Sequence, residues 1–289
     1  MFKGVYTAMV TPFNEDGTVD YGRLRTFLEE QVAAGVAGVV PVGTTGESPT
    51  LDHHEHLKVI EATAEIVAKR IQVIAGTGAN STAEAIELTR EVLPMGVDAT
   101  LQVTPYYNKP SSEGLYRHFS TIADLGLPVV LYNVPGRASK EIPLDVVERL
   151  STHEAIVAIK EAAGSVDRVS AISAACGLEV PSGDDSLALA MMAVGAKGVI
   201  SVASNVIPSE MVQLCALAAE NRFAEALSIH DRYYHLFRDL FIETNPVPVK
   251  AALALMGKMP EVYRLPLCEL APVNREKLAA TMRSAQIIQ

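Results

Sequence analysis

Residues 156–162 read Ile156-Val157-Ala158-Ile159-Lys160-Glu161-Ala162, a short apolar run rich in β-branched residues, and Gly164 follows it. An apolar run of this length with a glycine after it is typical of a buried strand. Because side chains alternate along a strand, Ile156, Ala158 and Lys160 share one face. The segment therefore predicts a strand that is covered on both faces and carries an amine at its end.

Lys160 has two interpretations at such a position. Burial disfavours the charged form of lysine and lowers its pKa, and a neutral amine is a nucleophile that forms a Schiff base with a ketone or aldehyde. In the alternative, the stem of the side chain packs while the ammonium group reaches solvent at the strand end. The strand by itself leaves both interpretations open.

Similar apolar runs recur along the first two thirds of the chain, with helical patterns between them. The predicted strands are residues 5–10, 37–42, 71–75, 99–103, 129–132, 156–159, 178–180 and 198–202. The clearest predicted helices between them are residues 21–34, 52–69, 82–93 and 112–125. Alternating strands and helices indicate βαβ units and a parallel sheet. Eight such units favour an α/β fold of the closed (β/α)₈ TIM-barrel type over an open doubly wound sheet.

The pattern changes near residue 208, where strands give way to helices alone. The predicted C-terminal helices are residues 211–219, 223–242, 248–256 and 274–284. We therefore predict a barrel core over residues 1–207 and a C-terminal helical region over residues 208–289 that completes and flanks it. Because no low-complexity linker separates the two parts, the helical region is expected to pack directly on the barrel.

The composition restricts the classes of partner. The 289 residues are 49% hydrophobic and 20% charged, as in globular proteins, and the formal net charge is −10. That charge argues against nucleic acid and against an anionic membrane surface as partners. The three cysteines are widely spaced, and neither a secretory signal nor a membrane-spanning stretch is recognisable. A cytoplasmic protein is expected.

The ends of the predicted strands carry the candidate functional residues, as expected for this type of barrel, and Lys160 ends strand six. The segment Gly43-Thr44-Thr45-Gly46-Glu47-Ser48 follows strand two. Its glycines would let the backbone approach a ligand, and its hydroxyls would donate hydrogen bonds or relay protons. A helix capped by Ser48 or Thr50, with Pro49 in its first turn, would offer amides to a carboxylate. An ordinary βα turn explains the same segment equally well.

Two further loops carry polar aromatic residues. Tyr106 and Tyr107 are adjacent after strand four, a pattern that also suits edge packing or a subunit contact. Tyr132, at the end of strand five, lies beside strand six and can move protons. Arg137 follows it and offers a planar fork for a carboxylate.

Metal and dinucleotide sites are not predicted. His53 and His56 share a helix face, but a third ligand at a suitable spacing is absent. The acids of the Gly183-Asp184-Asp185 segment suit a Mg²⁺ site or a turn and helix cap equally well. The Gly76-Thr77-Gly78 segment lacks the third glycine and the ribose-binding acid of a dinucleotide fingerprint.

Taken together, these motifs make the chain similar to the dihydrodipicolinate synthase / N-acetylneuraminate lyase family of class I aldolases. The similarity is carried first by residues 43–47 (GTTGE), 106–110 (YYNKP), 132–137 (YNVPGR) and 159–162 (IKEA). It extends over nearly the whole chain, through residues 11–13 (TPF), 183–185 (GDD), 198–202 (GVISV) and 245–250 (NPVPVK). The resemblance implies a barrel enzyme without a metal or organic cofactor, assembled as a homotetramer that is a dimer of dimers.

The resemblance also implies a role for each motif residue. Lys160 is the Schiff-base residue for pyruvate, whose carboxylate is held by Thr45 and the backbone of Ile200. Gly183 belongs to the same substrate-binding set. Arg137 binds the carboxylate of the second substrate, L-aspartate 4-semialdehyde.

A proton relay is implied at the same site. It consists of Tyr132, Thr44 and Tyr107, and Tyr107 reaches in from a neighbouring subunit. The relay would serve imine formation and the generation of the enamine that attacks the semialdehyde.

A feedback site for L-lysine is the last implication. By resemblance to lysine-sensitive members of the family, its residues are Ser48, Pro49, His53, His56, Asn80, Glu84 and Tyr106. Pro49 replaces the usual alanine of those members, and Ala163 replaces a common threonine close to Lys160.

Two alternative functions remain open. Another pyruvate-dependent aldolase or lyase, acting on N-acetylneuraminate or a keto-deoxy sugar acid, would share Lys160, but such relatives mostly carry other residues at Thr45 and Arg137. A non-catalytic barrel that only senses a small metabolite would form no covalent adduct at Lys160.

Overall fold

Within residues 2–289, the part of the chain that the structure describes, parallel strands close into an eight-stranded barrel in chain order, and the last strand pairs with the first. The structure is a computed structural model. The strands are β1 (Gly4–Ala8), β2 (Gly38–Val40), β3 (Gln72–Gly76), β4 (Ala99–Val103), β5 (Val129–Asn133), β6 (Ile156–Glu161), β7 (Pro181–Ser182) and β8 (Gly198–Ser201). The predicted (β/α)₈ barrel is confirmed.

Helices surround the barrel and continue after β8. They are α1 (Tyr21–Ala34), α2 (His53–Val67), α3 (Thr82–Val92), α4 (Ser112–Ala123), α5 (Pro135–Ala138), α6 (Leu144–Leu150), α7 (Val166–Ala175), α8 (Ala188–Ala193), α9 (Pro208–Ala219), α10 (Phe223–Asp239), α11 (Val247–Leu255) and α12 (Pro272–Ser284). Each predicted helix lies within three residues of an observed one at both ends. Along residues 2–289 every helix is too short or too polar to span a lipid bilayer.

The C-terminal helices form a layer of their own against the barrel. Helix α9 lies on β1, α10 packs on α9 and α12, and α11 packs on α12 and on the 3₁₀ turn Ala203–Asn205 after β8. The C-terminal helical region is thus in direct contact with the barrel, close to the ends of the strands. The division of the chain at residues 207 and 208 stays a prediction.

Strand seven begins later than predicted. The apolar run at residues 178–180 already makes backbone hydrogen bonds, between Glu179 and both Val157 and Ile159 and from Lys197 to Val180, and the regular ladder follows in β7. Val180 is also buried. The apolar run therefore marks the approach to β7, whose regular ladder with β6 and β8 begins one residue after it.

Candidate active site

A cavity opens at the C-terminal end of the barrel and gathers most of the predicted site. This inner cavity has a volume of about 150 Å³, and its wall includes Thr44, Thr45, Tyr132, Arg137, Lys160, Gly183, Asp184 and Asn245. An outer cavity of about 210 Å³ adjoins it and shares Thr44, Tyr132 and Arg137 with it. Ser48, Pro49 and Tyr106 also line the outer cavity. Side chains from loops far apart in sequence therefore converge around one amine.

Lys160 projects into the inner cavity from β6. The residue is only 6% exposed, which excludes the alternative of an ammonium group in open solvent. Tyr132 is its register partner on β5, and the Lys160 Nζ lies 4.3 Å from the centre of the Tyr132 ring. The amine makes no hydrogen bond to any residue from 2 to 289 and is therefore available to a substrate in the cavity.

Gly183 provides the space for that amine. A β-carbon at this position would lie 3.1 Å from Lys160 Cε and 2.5 Å from the Ala162 Cβ. A methyl group cannot occupy this space without displacing a neighbour. Gly183, which the sequence resemblance assigns to substrate binding, is thus also required at this position for steric reasons.

Asp184 places a carboxyl group in the same cavity. Burial raises the pKa of Asp184, and the nearby positive charge of Lys160 opposes this change. The adjacent Asp185 faces elsewhere, and its Oδ2 accepts hydrogen bonds from the backbone N–H groups of Val202 and Ala203 at 3.0 and 2.9 Å. Asp184 and Asp185 therefore do not form a joint cation site, since Asp185 caps a turn and Asp184 faces the Lys160 amine.

A buried polar network fixes the ends of β5 and β6 from the outer side of the barrel. The Glu161 carboxylate accepts hydrogen bonds from Asn133 Nδ2 at 3.0 Å, Ala163 N at 2.8 Å and Arg168 Nε at 2.8 Å. Burial raises the pKa of Glu161, while the Arg168 charge opposes the shift. Because Glu161 follows Lys160 directly, this network fixes the backbone from which the amine projects.

The loop at residues 43–46 is bracketed by two residues with positive φ. Val42 has a φ of 47° and Glu47 a φ of 56°, values that cost non-glycine residues about 1–3 kcal/mol each. A β-carbon at Gly46 would lie 2.9 Å from the Val42 Cα, so this position requires glycine. The Thr45 hydroxyl accepts a hydrogen bond from Asn245 Nδ2 at 2.9 Å. The Thr44 hydroxyl has no partner within residues 2–289 and faces the cavity.

The predicted cap of α2 was wrong. Ser48 and Thr50 belong to a separate 3₁₀ turn, and α2 begins at His53, where Asp52 and Glu55 form a capping box. The D-x-x-E spacing was the available sequence signal. The capping box thus occupies backbone N–H groups at the start of α2, and the cap lies at residue 52 and not at residues 48 or 50.

Arg137 and Tyr132 are each held through the backbone of a neighbouring segment. Arg137 Nη2 donates to the Asn245 carbonyl at 3.0 Å, and the other donors of its guanidinium group remain for a carboxylate. The hydroxyl and the backbone N–H of Thr104 both donate to the Tyr132 carbonyl, at 2.8 and 3.0 Å. The Tyr132 hydroxyl has no hydrogen-bond partner in residues 2–289.

Sequence reasoning gave no role to Asn245. Its side chain is 96% buried, lines the inner cavity and leaves Oδ1 without a partner in the described chain. The 245–250 motif marked its position, but only the fold brings it to Thr45 and Arg137.

Two predicted site residues do not line the inner cavity. Tyr107 is 92% exposed, with a φ of 71°, and its side chain extends from the loop after β4. Ile200 is buried in β8, where it pairs with Tyr6. A single chain therefore assembles the site without these two side chains.

The residues predicted to bind L-lysine lie beside the outer cavity. Asn80 Nδ2 donates to the Tyr106 carbonyl at 3.2 Å, and Asn108 Nδ2 donates to the Asn80 carbonyl at 2.8 Å. Burial and the charge of Glu84 together raise the pKa of Tyr106. Asn80, Glu84 and Tyr106 therefore form one cluster, next to the 3₁₀ turn that carries Ser48.

The two histidines of α2 point in different directions. A ring nitrogen of His56 lies 2.7 Å from the Gly76 carbonyl, whereas the exposed His53 lies 3.1 Å from Glu91. His53, Glu87 and Glu91 bring one potential ligand atom each within 4.8 Å of one another. All three are exposed, and acidic groups commonly cluster on surfaces without binding an ion.

Comparison with known sequences gives matches over the whole chain. The sequence profile described as "Dihydrodipicolinate synthetase family" matches residues 1–285. The 4-hydroxy-tetrahydrodipicolinate synthase of Thermodesulfovibrio yellowstonii is 50% identical over 292 residues, which cover 100% of both chains.

Solved structures agree with this result. A chloride-inhibited dihydrodipicolinate synthase from Acinetobacter baumannii, complexed with pyruvate, superposes with a TM-score of 0.98 at 44% identity and 100% coverage of both chains. A DHDPS from Cyanidioschyzon merolae with lysine bound superposes with a TM-score of 0.96 at 39% identity and 99% coverage of both chains.

Proposed function

Because the chain belongs to the dihydrodipicolinate synthetase family, we propose that it condenses pyruvate with L-aspartate 4-semialdehyde to give 4-hydroxy-tetrahydrodipicolinate. The enzyme is a lyase, and the proposed reaction belongs to the diaminopimelate route to lysine. The observation that carries the proposal is the buried Lys160 amine, surrounded by Thr44, Thr45, Tyr132 and Arg137 in one cavity. A relative solved with pyruvate supports the choice of the first substrate.

The first step is imine formation. The uncharged Lys160 amine adds to the ketone carbon of pyruvate, and loss of water leaves a protonated imine. Thr45 hydrogen-bonds the pyruvate carboxylate, together with a backbone group of Ile200. The Asp184 carboxyl group lies in the same cavity, where its ionised form stabilises the cationic imine.

The second step is carbon–carbon bond formation. A proton leaves the methyl carbon of the bound pyruvate, and the resulting enamine attacks the aldehyde carbon of the semialdehyde, whose oxygen takes up a proton. Tyr132 and Thr44, whose hydroxyls have no partner in residues 2–289, move these protons with Tyr107 of a neighbouring subunit. The amine of the semialdehyde then closes the ring and displaces Lys160. The imine is the electron sink, so the chemistry requires no metal or organic cofactor.

L-lysine is the proposed inhibitor. The Glu84 carboxylate suits the ammonium group, and Asn80 and Ser48 offer hydrogen bonds. The proposed set also includes Tyr106 and the two histidines of α2, His53 beside Glu91 and His56 beside the Gly76 carbonyl. The outer cavity, lined by Ser48, Pro49 and Tyr106, adjoins the catalytic residues through Thr44. A lysine-bound relative supports the assignment.

Borohydride trapping tests the proposal directly. Pyruvate with borohydride should add mass to the peptide that contains Lys160, and Lys160→Ala should abolish both the adduct and the condensation in a coupled assay. A folded wild-type enzyme that forms no adduct would refute the Schiff-base mechanism. Adduct formation without condensation of the semialdehyde would indicate another pyruvate-dependent aldolase.

Arg137 tests the choice of the second substrate. Arg137→Ala should raise the KM for the semialdehyde far more than the KM for pyruvate, by about tenfold or more, because a bidentate partner of its carboxylate is lost. Arg137→Lys keeps the charge without the fork and should have an intermediate effect. Equal changes in both KM values in steady-state assays would contradict the assignment.

A further inference from the structure

A fully buried ion pair lies behind the loop that carries Thr44 and Thr45. Lys250 of α11 donates to the Glu47 carboxylate, and neither side chain is accessible to solvent. The Lys250 Nζ lies 4.2 Å from the centre of the Phe13 ring. Burial lowers the pKa of Lys250, and the Glu47 charge opposes this shift. Replacing buried ion pairs by apolar residues is often neutral for stability, so stability alone is a weak explanation for this pair.

Glu47 is the residue that ends the loop. Its backbone has the unfavourable φ of 56°, and its other carboxylate oxygen lies 3.3 Å from the Arg264 backbone N–H, which donates to it. Because both oxygens of the Glu47 carboxylate are bonded, the backbone of Glu47 is held at this unfavourable φ.

The segment formed by α11 and the residues before it contacts the loop at two places. Asn245 donates to the Thr45 hydroxyl, and Lys250, in the next part of the same segment, bonds Glu47. The loop is therefore attached at its middle and at its end to one element of the C-terminal region. Neither Glu47 nor Lys250 lines the inner cavity, and Lys250 is closed to substrate.

We infer that Lys250 and Glu47 are positioning residues, which hold the loop so that the Thr45 hydroxyl reaches the pyruvate carboxylate and the Thr44 hydroxyl stays in the proton relay. The inference rests on the proposed function, because it assigns the loop to pyruvate. Its consequence is that α11 is part of the machinery for pyruvate binding. Loss of the ion pair should therefore raise the KM for pyruvate selectively, whereas loss of a pair that only stabilised the fold would change the KM for both substrates alike.

The test is the double variant Lys250→Met/Glu47→Gln, which removes both charges at similar volume and leaves neither charge buried alone. We expect the pyruvate concentration for half-maximal borohydride trapping, and the KM for pyruvate, to rise about tenfold, since small misplacements of a binding group have effects of this size. The KM for the semialdehyde should change less than about twofold. The matched control is Lys258→Met/Glu30→Gln, a partly exposed Lys–Glu pair that joins the C-terminal region to α1 and lies outside both cavities. It should leave both KM values unchanged.

Two results would overturn the inference: wild-type trapping by the folded double variant, or equal changes in both KM values. If the double variant does not fold, Glu47→Asp decides the question, because it keeps the charges but shortens the connection by one methylene. It should raise the KM for pyruvate selectively, and an unchanged KM would refute the inference. Failure of the wild-type enzyme to trap pyruvate would instead refute the proposed function, so the two failures are distinguishable.

Discussion

The reactivity of Lys160 depends on the space around its side chain as much as on its chemistry. The amine is buried above the ring of Tyr132, and the absence of a β-carbon at Gly183 gives its Cε room. Gly183 therefore belongs to the site because its lack of a side chain leaves room for the side chain of Lys160.

Gly183→Ala tests this steric requirement. The added methyl group would lie 3.1 Å from Lys160 Cε and 2.5 Å from Ala162 Cβ, so we expect Lys160 to move. The rate of pyruvate trapping should fall about a hundredfold, the usual effect of displacing a reacting group by about 1 Å. The neighbouring substitution Ala163→Gly, which removes a methyl group, is the control. Trapping at the wild-type rate by Gly183→Ala would show that the cavity accommodates the methyl group.

His118 provides a residue-scale prediction about pH. Burial lowers its pKa from 6.5 to about 4, and Thr82 lies 2.9 Å from its Nδ1. The unfolded chain binds a proton between these two values and the folded chain does not, so stability falls as pH decreases from about 6.5 towards 4. At pH 5 this histidine should cost about 2 kcal/mol relative to pH 8.

The measurement is urea unfolding of the wild type and of His118→Asn, whose amide takes the Nδ1 position, at pH 8 and pH 5. The variant should lose about 2 kcal/mol less than the wild type over this interval. Equal losses would mean that the His118 proton is not linked to folding.

At the scale of elements, the segment that leads into α2 connects the loop at residues 43–46 with the proposed lysine site. The helix starts at His53 and is capped by Asp52, whose side chain accepts a hydrogen bond from the Glu55 N–H at 2.8 Å. Arg264 pairs with Glu55 through both of its Nη atoms. The 3₁₀ turn Ser48–Thr50 lies between the loop and the helix. The cap therefore fixes the end of the segment that joins the two sites.

Removal of the cap should destabilise the protein moderately. Asp52→Ala removes one half of the capping box and should cost about 1 kcal/mol of unfolding free energy, measured from urea midpoints at a fixed protein concentration. Asp52→Ser keeps an acceptor and should recover most of the loss. An equal loss in both variants would show that the carboxylate acts through its charge and not as a cap.

At the scale of the whole molecule, one chain brings most of the predicted site residues into the inner cavity, and Tyr107 is left outside it. Tyr107 is 92% exposed and lies outside the inner cavity, in agreement with the proposal that it serves a neighbouring subunit in a homotetramer. The proposal can be tested without knowing the arrangement of the subunits.

Complementation between inactive variants makes that test. Lys160→Ala and Tyr107→Phe should each be severely impaired, but a mixed dimer has one site with an intact Lys160 and a wild-type Tyr107 from the partner. Mixing the two variants after reversible dissociation should therefore restore activity. No gain over the separate variants, with mixed oligomers demonstrated by mass spectrometry, would place Tyr107 and Lys160 in the same subunit's site.

The regular repetition of apolar runs and helical patterns was sufficient to predict the barrel, because each βα unit carries its own period. At strand seven the pattern marked residues 178–180, which lie directly before the observed β7, because the strand itself is only two residues long and begins at a proline. The pattern also assigned the wrong cap to α2, because three potential caps lie within five residues and only Asp52 has Glu55 at the spacing of a capping box.

Sequence alone determined the eight-unit barrel, the family and the residue types at the strand ends, because local periodicity and short motifs carry this information. Only the tertiary structure decided that Lys160 is enclosed, that Gly183 makes room for it, and that Asn245 reaches Thr45 from 200 residues away along the chain. The physical reason is that enclosure and close approach depend on how distant segments pack, and packing distances cannot be read from the order of residues in one segment.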